Sequence, residues 1–214
     1  MARKRVAVLI SGRGSNLAAL IEAAKDPAYP AEIVLVVSNE PQAEGLARAR
    51  AAGIATAVVD HRAFGKDREA FERALQAELQ AHNVELVCLA GFMRVLTPWF
   101  VRQWEGRMLN IHPSLLPDFK GLDTHARALA AGATRHGATV HFVVPELDSG
   151  PIVLQEAVPV LKGDTAATLA ARVLAVEHRI YPQALKLLAE GRLRIAGGEC
   201  LIDGKPAVRS VDGS

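Results

Sequence analysis

The chain has 214 residues, of which 50% are hydrophobic and 22% are charged, with a formal net charge of +2. This nearly balanced charge gives no sign of a nucleic-acid or membrane-binding surface. Two cysteines are too few for a disulfide framework, no apolar run is long enough to span a membrane, and no signal-peptide pattern is present. We therefore expect a cytoplasmic protein with a single domain over residues 1–214.

The first half of the sequence alternates apolar runs of strand length with amphipathic helical patterns. Strands are predicted at residues 5–11, 32–39, 55–60, 84–92 and 108–112, and helices at 15–26, 42–53 and 66–82. Ser15 or Asn16 is a candidate N-cap of the first helix. Strands buried on both faces and separated by helices predict a Rossmann-like parallel sheet, which would form a nucleotide-binding half over residues 1–112.

The pattern changes in residues 113–214. Residues 136–160 alternate apolar and polar positions around an ordered loop, which predicts two antiparallel strands. A long helix pattern follows over residues 164–191, in which Pro182 is a candidate kink, and a closing hairpin is predicted at 192–208. Because no linker separates the halves, we expect an α/β fold whose parallel sheet continues into a mixed, partly antiparallel half.

A glycine-rich motif, "SGRGSN", occupies residues 11–16 on the first strand-to-helix turn. Glycines allow a tight turn and close approach of a ligand, and the helix N-terminus offers free N–H groups to an anion. The motif is not a Walker A loop, and Leu17 stands where a dinucleotide fingerprint has its third glycine. It predicts a phosphate-anchoring loop, with a dinucleotide loop or a plain tight turn as alternatives.

The second candidate site is "NIHP", at the end of the fifth predicted strand. Residues i and i+2 of a strand share a face, so Asn110 and His112 would lie side by side while Ile111 points into the core. The amide can donate to a developing oxyanion, and the imidazole can move a proton near neutral pH. Asp148, in the loop "PELDSGP", can orient the imidazole. Alternatively, Asn110 and His112 only form hydrogen bonds with a loop, and Asp148 only forms an Asx turn.

The remaining histidines and the apolar segment at the end of the fourth predicted strand indicate a functional site less specifically. The spacing of His112, His125 and His141 has no metal-ligand pattern, so we expect no metal site. His141 is expected to face the sheet with a satisfied hydrogen bond. Residues 88–98 suit the lining of a pocket for a flat ring, or equally a packed core with a helix starting at Thr97.

Six stretches in this order resemble the phosphoribosylglycinamide formyltransferases, which use 10-formyltetrahydrofolate. They are "ISGRGSNL", "LAGFMRVL", "LNIHPSLLP", "HGATVHFV", "ELDSGPIVLQ" and "VEHRIYP", and the similarity runs from Val6 to about residue 195. The resemblance implies a formyltransferase fold. It also implies direct transfer of a formyl group from 10-formyltetrahydrofolate to the amine of phosphoribosylglycinamide, in purine biosynthesis and without a metal.

The resemblance also implies roles for individual residues. The implied catalytic residues are Asn110, His112 and Asp148. The implied ribonucleotide contacts are Gly14, Ser15, Asn16 and Glu177. The implied folate contacts are Arg68, Met93, Arg94, Val95, Leu96, Asn110, Val144, Pro145, Glu146 and Leu147.

The sequence departs from the family pattern at Asp123 and Leu174, which leaves the local contacts of these two positions open. The implied partners are small molecules, with neither nucleic acid nor membrane, and the chain would act as a monomer or homodimer. The alternatives are a formyltetrahydrofolate hydrolase, a methionyl-tRNA formyltransferase catalytic domain and a non-catalytic nucleotide-binding module.

Overall fold

A computed structural model describes residues 2–207, and a seven-stranded sheet forms its centre. The strands are β1 (Lys4–Ile10), β2 (Ala31–Ser38), β3 (Ala55–Val58), β4 (Leu86–Leu89), β5 (Met108–His112), β6 (Arg135–Phe142) and β7 (Ile152–Pro159). Their spatial order is β3-β2-β1-β4-β5-β6-β7. The first five strands are parallel, and β6 is antiparallel to both β5 and β7. The predicted fold class is confirmed, and one sheet runs through both halves.

Six α-helices and a small second sheet complete the described part. The helices are α1 (Ser15–Ala24), α2 (Glu44–Ala51), α3 (Arg68–Ala81), α4 (Pro98–Gln103), α5 (Thr124–Ala130) and α6 (Ala166–Ala189), with a 3₁₀ turn at His61–Phe64. The second sheet contains β8 (Leu193–Ala196), β9 (Glu199–Ile202) and β10 (Lys205–Pro206). The predicted closing hairpin is therefore present, although Val208 lies outside the described residues. Helix α5 and the 3₁₀ turn were not predicted.

Both faces of the sheet are buried, which explains the continuous apolar runs in the sequence. Helices α1 and α6 cover one face, where the hydroxyl of Tyr181 donates to the carbonyl of Leu89 at 2.8 Å. Helices α3 and α4 cover the other face through residues such as Phe71 and Phe100. Helix α6 continues through Pro182. The carboxyl ends of β1, β4 and β5 thus meet at one edge, where ligands bind in such folds.

The first helix begins differently from the prediction. Neither Ser15 nor Asn16 is the N-cap; Gly14 takes that position in the left-handed region, with φ 72°, and no side chain caps the helix. Gly14 turns the chain directly into the helix, and the amide of Asn16 donates to Glu177 instead. The N–H groups at the start of α1 therefore stay free for an anion.

None of the helices in residues 2–207 combines the length and the apolar character needed to cross a membrane.

Candidate active site

Strand β5 places two polar side chains at the carboxyl edge of the sheet. Asn110 and His112 share one face, while Ile111 points into the core beneath α6, as the period of two predicts. The antiparallel register sets His141 of β6 directly opposite Asn110, and Thr139 opposite His112. Two neighbouring strands therefore supply the polar groups of this face.

The His112 ring is held at both of its nitrogen atoms. Its Nε2 lies 3.0 Å from the carbonyl oxygen of Phe119, and its Nδ1 lies 3.4 Å from Oδ2 of Asp148. A carbonyl oxygen only accepts, so Nε2 carries a proton. In the imidazolium form, both contacts are satisfied at once, with Nδ1–H directed at the carboxylate. The buried ring is thus fixed in one orientation.

Asp148 reaches the site from the loop between β6 and β7. Its backbone lies in the left-handed region, with φ 48°, and its Oδ2 accepts from the backbone N–H of Gly121 at 2.9 Å. Gly150 makes this turn possible, because a Cβ at that position would lie 1.7 Å from the carbonyl oxygen of Phe142. The carboxylate therefore binds the loop that follows β5, and does not only form a local Asx turn.

His141 is the site residue that sequence interpretation underestimated. Its Nδ1 donates to the carbonyl of Phe142 at 2.9 Å, and its Nε2 accepts from Nδ2 of Asn110 at 3.1 Å. Burial lowers the pKa of His141, which favours the neutral ring that this pattern needs. Its Nε2 also lies 3.8 Å from Oδ1 of Asp148. His141 therefore orients the Asn110 amide, whose second N–H remains available to a ligand.

The glycine-rich loop forms a second part of the site, beside the start of α1. Residues 11–16, together with Ala90, Gly91 and Met93, line a cleft of about 270 Å³. Gly45 of α2 packs so closely that a Cβ on Gly14 would lie 2.9 Å from its Cα, and Nε of Arg48 donates to the carbonyl of Arg13 at 3.0 Å. This packing fixes the loop around the free N–H groups of α1, an arrangement that suits an anion.

Glu177 of α6 completes the loop from the opposite end of the sequence. Nδ2 of Asn16 donates to Oε2 of Glu177 at 2.6 Å, and both side chains are buried. Burial raises the pKa of Glu177, and the bond from Asn16 opposes that shift. The structure thus brings together two of the residues that the resemblance assigned to the ribonucleotide.

The chain is similar to known proteins over most of its length. The sequence matches the formyl transferase family over residues 4–185. The phosphoribosylglycinamide formyltransferase of Escherichia coli (strain K12) is 48% identical over 200 residues, which cover 94% of this chain and 94% of that protein. The structure of the phosphoribosylglycinamide formyltransferase from Coxiella burnetii has a TM-score of 0.90 and 46% identity, with 95% of each chain covered. The chain belongs to the phosphoribosylglycinamide formyltransferase family. The resemblance found in the sequence is confirmed.

This formyltransferase family also has members that are parts of much longer proteins. The trifunctional purine biosynthetic protein adenosine-3 of Bos taurus is 53% identical over 193 residues, which cover 90% of this chain. The chain spans only 19% of the length of that relative. The similarity therefore concerns one part of the trifunctional protein.

The folate contacts that the family resemblance assigned lie mainly on two loops, with Arg68 at the start of α3 and Asn110 in β5. In residues 93–96, Met93 is 66% exposed while Leu96 packs in the core, so the four side chains are not equally available. The guanidinium of Arg68 donates to the carbonyl of Val95 and thereby ties this loop to α3. The second loop, residues 144–147, runs into Asp148 and exposes the side chains of Pro145, Glu146 and Leu147.

Several residues of this formyltransferase site carried no signal in the sequence. Phe119 and Gly121 act through backbone atoms, which residue type does not reveal. Gly45 and Arg48 hold the glycine-rich loop from a different helix. His141 was expected to face the sheet with a satisfied hydrogen bond, but its position directly opposite Asn110 depends on the antiparallel register, which the sequence does not show. In residues 2–207, no group of three His, Cys, Asp or Glu side chains is arranged to hold a metal ion.

Proposed function

We propose that the chain transfers the formyl group of 10-formyltetrahydrofolate to the amine of phosphoribosylglycinamide, a step of purine biosynthesis. One observation carries the proposal: in a chain of this family, Asn110, His112 and Asp148 meet at the carboxyl end of β5. The same edge of the sheet holds the cleft beside the start of α1, which is proposed to bind a phosphate. A site for chemistry and a site for a phosphate therefore share one edge.

The reaction begins with attack of the substrate amine on the formyl carbon. A C–N bond forms, and the carbonyl oxygen of the formyl group takes up negative charge. The free N–H of the Asn110 amide is the donor proposed to stabilise this oxyanion, and the positive charge of the nearby His112 imidazolium is proposed to stabilise it electrostatically. Preorganised donors of this kind typically contribute about a hundred- to a thousand-fold in rate.

Breakdown of the tetrahedral intermediate requires a proton to move. The attacking amine loses one, and the departing folate nitrogen gains one as its bond to the formyl carbon breaks. His112 is proposed to manage this transfer, with Asp148 holding the ring in orientation and balancing its charge. No formyl-enzyme intermediate is needed, since the amine itself is the nucleophile.

The two substrates are proposed to occupy the two parts of the site. The phosphate of the ribonucleotide would bind the N–H groups around Gly14, Ser15 and Asn16 at the start of α1, with Glu177 behind Asn16. The folate would lie between two loops and beside the start of α3 and the end of β5, which together contain the remaining predicted contacts. Those contacts are Arg68, Met93, Arg94, Val95, Leu96, Asn110, Val144, Pro145, Glu146 and Leu147.

The proposal also covers the domain organisation, cellular location and oligomeric state of the enzyme. We infer a single formyltransferase domain over residues 1–214, which acts in the cytoplasm on small molecules as a monomer or homodimer. The near-neutral charge supports the absence of a nucleic-acid or membrane partner.

The decisive experiment follows the loss of 10-formyltetrahydrofolate with and without phosphoribosylglycinamide. The expected result is consumption only when the amine is present, with one formylated product per folate consumed. Consumption that does not depend on the amine would replace transfer by hydrolysis. Ribonucleotide binding without any turnover, unaffected by substitution of Asn110, His112 or Asp148, would leave only a binding module.

A further inference from the structure

Three aromatic rings stack beside the proposed catalytic centre, and none of them has yet been given a role. The ring of His136 lies edge-on against Phe119, with 5.9 Å between centroids, and against His125, with 5.2 Å. His136 is 1% exposed, and neither of its ring nitrogens makes a well-aligned hydrogen bond among the described residues, although the backbone of Pro113 lies near the ring. Burying a polar ring without well-aligned hydrogen bonds costs free energy. The packing contacts of His136 must therefore offset this cost.

The backbone of Phe119 connects this stack to the catalytic histidine. Phe119 lies in the left-handed region, with φ 53°, a conformation that a bulky residue rarely adopts. In that conformation its carbonyl oxygen lies 3.0 Å from Nε2 of His112. Such a strained backbone persists only where surrounding contacts hold it.

Two groups hold the Phe119 side chain. His136 packs against the ring edge-on, and the guanidinium of Arg127 lies 5.7 Å from the ring centroid. Arg127 also donates to the carbonyl of Lys120 at 2.6 Å, which secures the next residue of the loop. Burial lowers the pKa of His136 to about 4, so its ring is neutral at pH 7 and packs as an aromatic group.

We propose that His136 is a positioning residue for formyl transfer: by packing against Phe119, it keeps the carbonyl that anchors His112 in place. The proposal rests on the function proposed above for His112. With Nε2 anchored, Nδ1 faces Asp148; without the anchor, only the 3.4 Å contact with Asp148 orients the imidazole. The glycine-rich loop makes none of these contacts. Ribonucleotide binding should therefore not depend on the packing of His136 against Phe119.

The test compares His136→Ala with His136→Phe. Alanine removes the stack, so kcat should fall by on the order of ten- to a hundred-fold while the KM for phosphoribosylglycinamide stays within about twofold, because a small misplacement of a reacting group has effects of this size. Phenylalanine keeps an aromatic edge against Phe119 and should restore most of kcat.

A second measurement does not depend on turnover. Long-range ¹H–¹⁵N NMR spectra show which ring nitrogen of His112 is protonated. In the wild type Nε2 should stay protonated in the imidazolium and, at higher pH, in the neutral ring; in His136→Ala part of the neutral ring should carry its proton on Nδ1 instead. If the wild type shows no formyl transfer, the proposed function fails, yet this spectrum still decides whether His136 positions His112.

The matched control is Val158→Ala, because Val158 lies directly opposite His136 on β7 and packs in the same core. It should lower thermal stability without changing the His112 spectrum or kcat. Three results would overturn the proposal: an unchanged His112 spectrum in His136→Ala, the same spectral change in Val158→Ala, or no recovery in His136→Phe.

Discussion

The side-chain amide of Asn16 donates a 2.6 Å hydrogen bond to the carboxyl group of Glu177, across 161 positions of sequence. The bond joins the first turn of α1 to the middle of α6, and the two side chains are only 8% and 7% exposed. The glycine-rich loop of the N-terminal half is therefore held in part by a helix of the C-terminal half.

The buried carboxyl group makes stability depend on pH. Burial raises the pKa of Glu177. Its contribution to stability is therefore fully present below the unfolded pKa, about 4.3, and is lost as the pH rises through the folded value. Glu177→Gln should raise the free energy of unfolding at about pH 8 and leave it nearly unchanged at about pH 3.5, as measured by urea unfolding. Glu199→Gln, an exposed control, should show no such difference between the two pH values. Equal effects at both pH values would contradict the prediction.

The Asn16 amide should matter for the ribonucleotide more than for the folate. Asn16→Ala removes the bond to Glu177 and leaves that carboxyl group buried without its partner, next to the proposed phosphate site. We expect the Kd for phosphoribosylglycinamide, measured by calorimetry, to rise by at least about tenfold, which corresponds to about 1.4 kcal/mol. The Kd for a folate analogue should change by less than about twofold.

The control for this prediction is Gln103→Ala, on the exposed face of α4, which should change neither Kd. A larger loss for the folate would move the phosphate site elsewhere.

Asp148 should affect turnover and not substrate affinity. Asp148→Asn keeps the shape of the side chain but removes the charge beside Nδ1 of His112. The value of kcat should fall by about a hundred- to ten-thousand-fold, the usual range for impaired proton transfer. The KM for the ribonucleotide should change little, since Asp148 lies outside the phosphate cleft. Steady-state kinetics with Asp118→Asn, an exposed carboxylate nearby, provide the control. Wild-type turnover in Asp148→Asn would show that this carboxylate has no role in the reaction.

Gly150 should be essential for the position of Asp148. A Cβ there would lie 1.7 Å from the carbonyl oxygen of Phe142, so Gly150→Ala must shift the end of β6 or the loop. We expect the free energy of unfolding to fall by about 1–3 kcal/mol, as in other overpacked sites. Because the displaced loop contains Asp148, kcat should fall as well. Ser149→Ala, the exposed neighbouring position, should leave both quantities close to the wild type. A Gly150→Ala variant that keeps both would contradict the tight packing seen here.

Local patterns in the sequence predicted most of the sheet and the arrangement of Asn110 and His112. The strands β1, β2, β4 and β5 are apolar runs because both of their faces are largely buried, and this property is visible without a structure. The period of two along β5 placed both polar side chains on one face. Helix α5 escaped prediction because it is only seven residues long and lies in a loop-rich segment. The candidate N-caps of α1 were wrong because the left-handed turn at Gly14 replaces a side-chain cap.

What the sequence by itself determined was the alternation of elements, the fold class and, through six stretches of resemblance, the family. Only the tertiary structure decided which groups meet. The contact of Asn110 with His141 depends on antiparallel register, and the anchor of His112 is a backbone carbonyl of Phe119. The periodicity of a single segment reports which side is buried, whereas register and loop closure depend on packing between segments. The contacts that orient His112 arise from that packing.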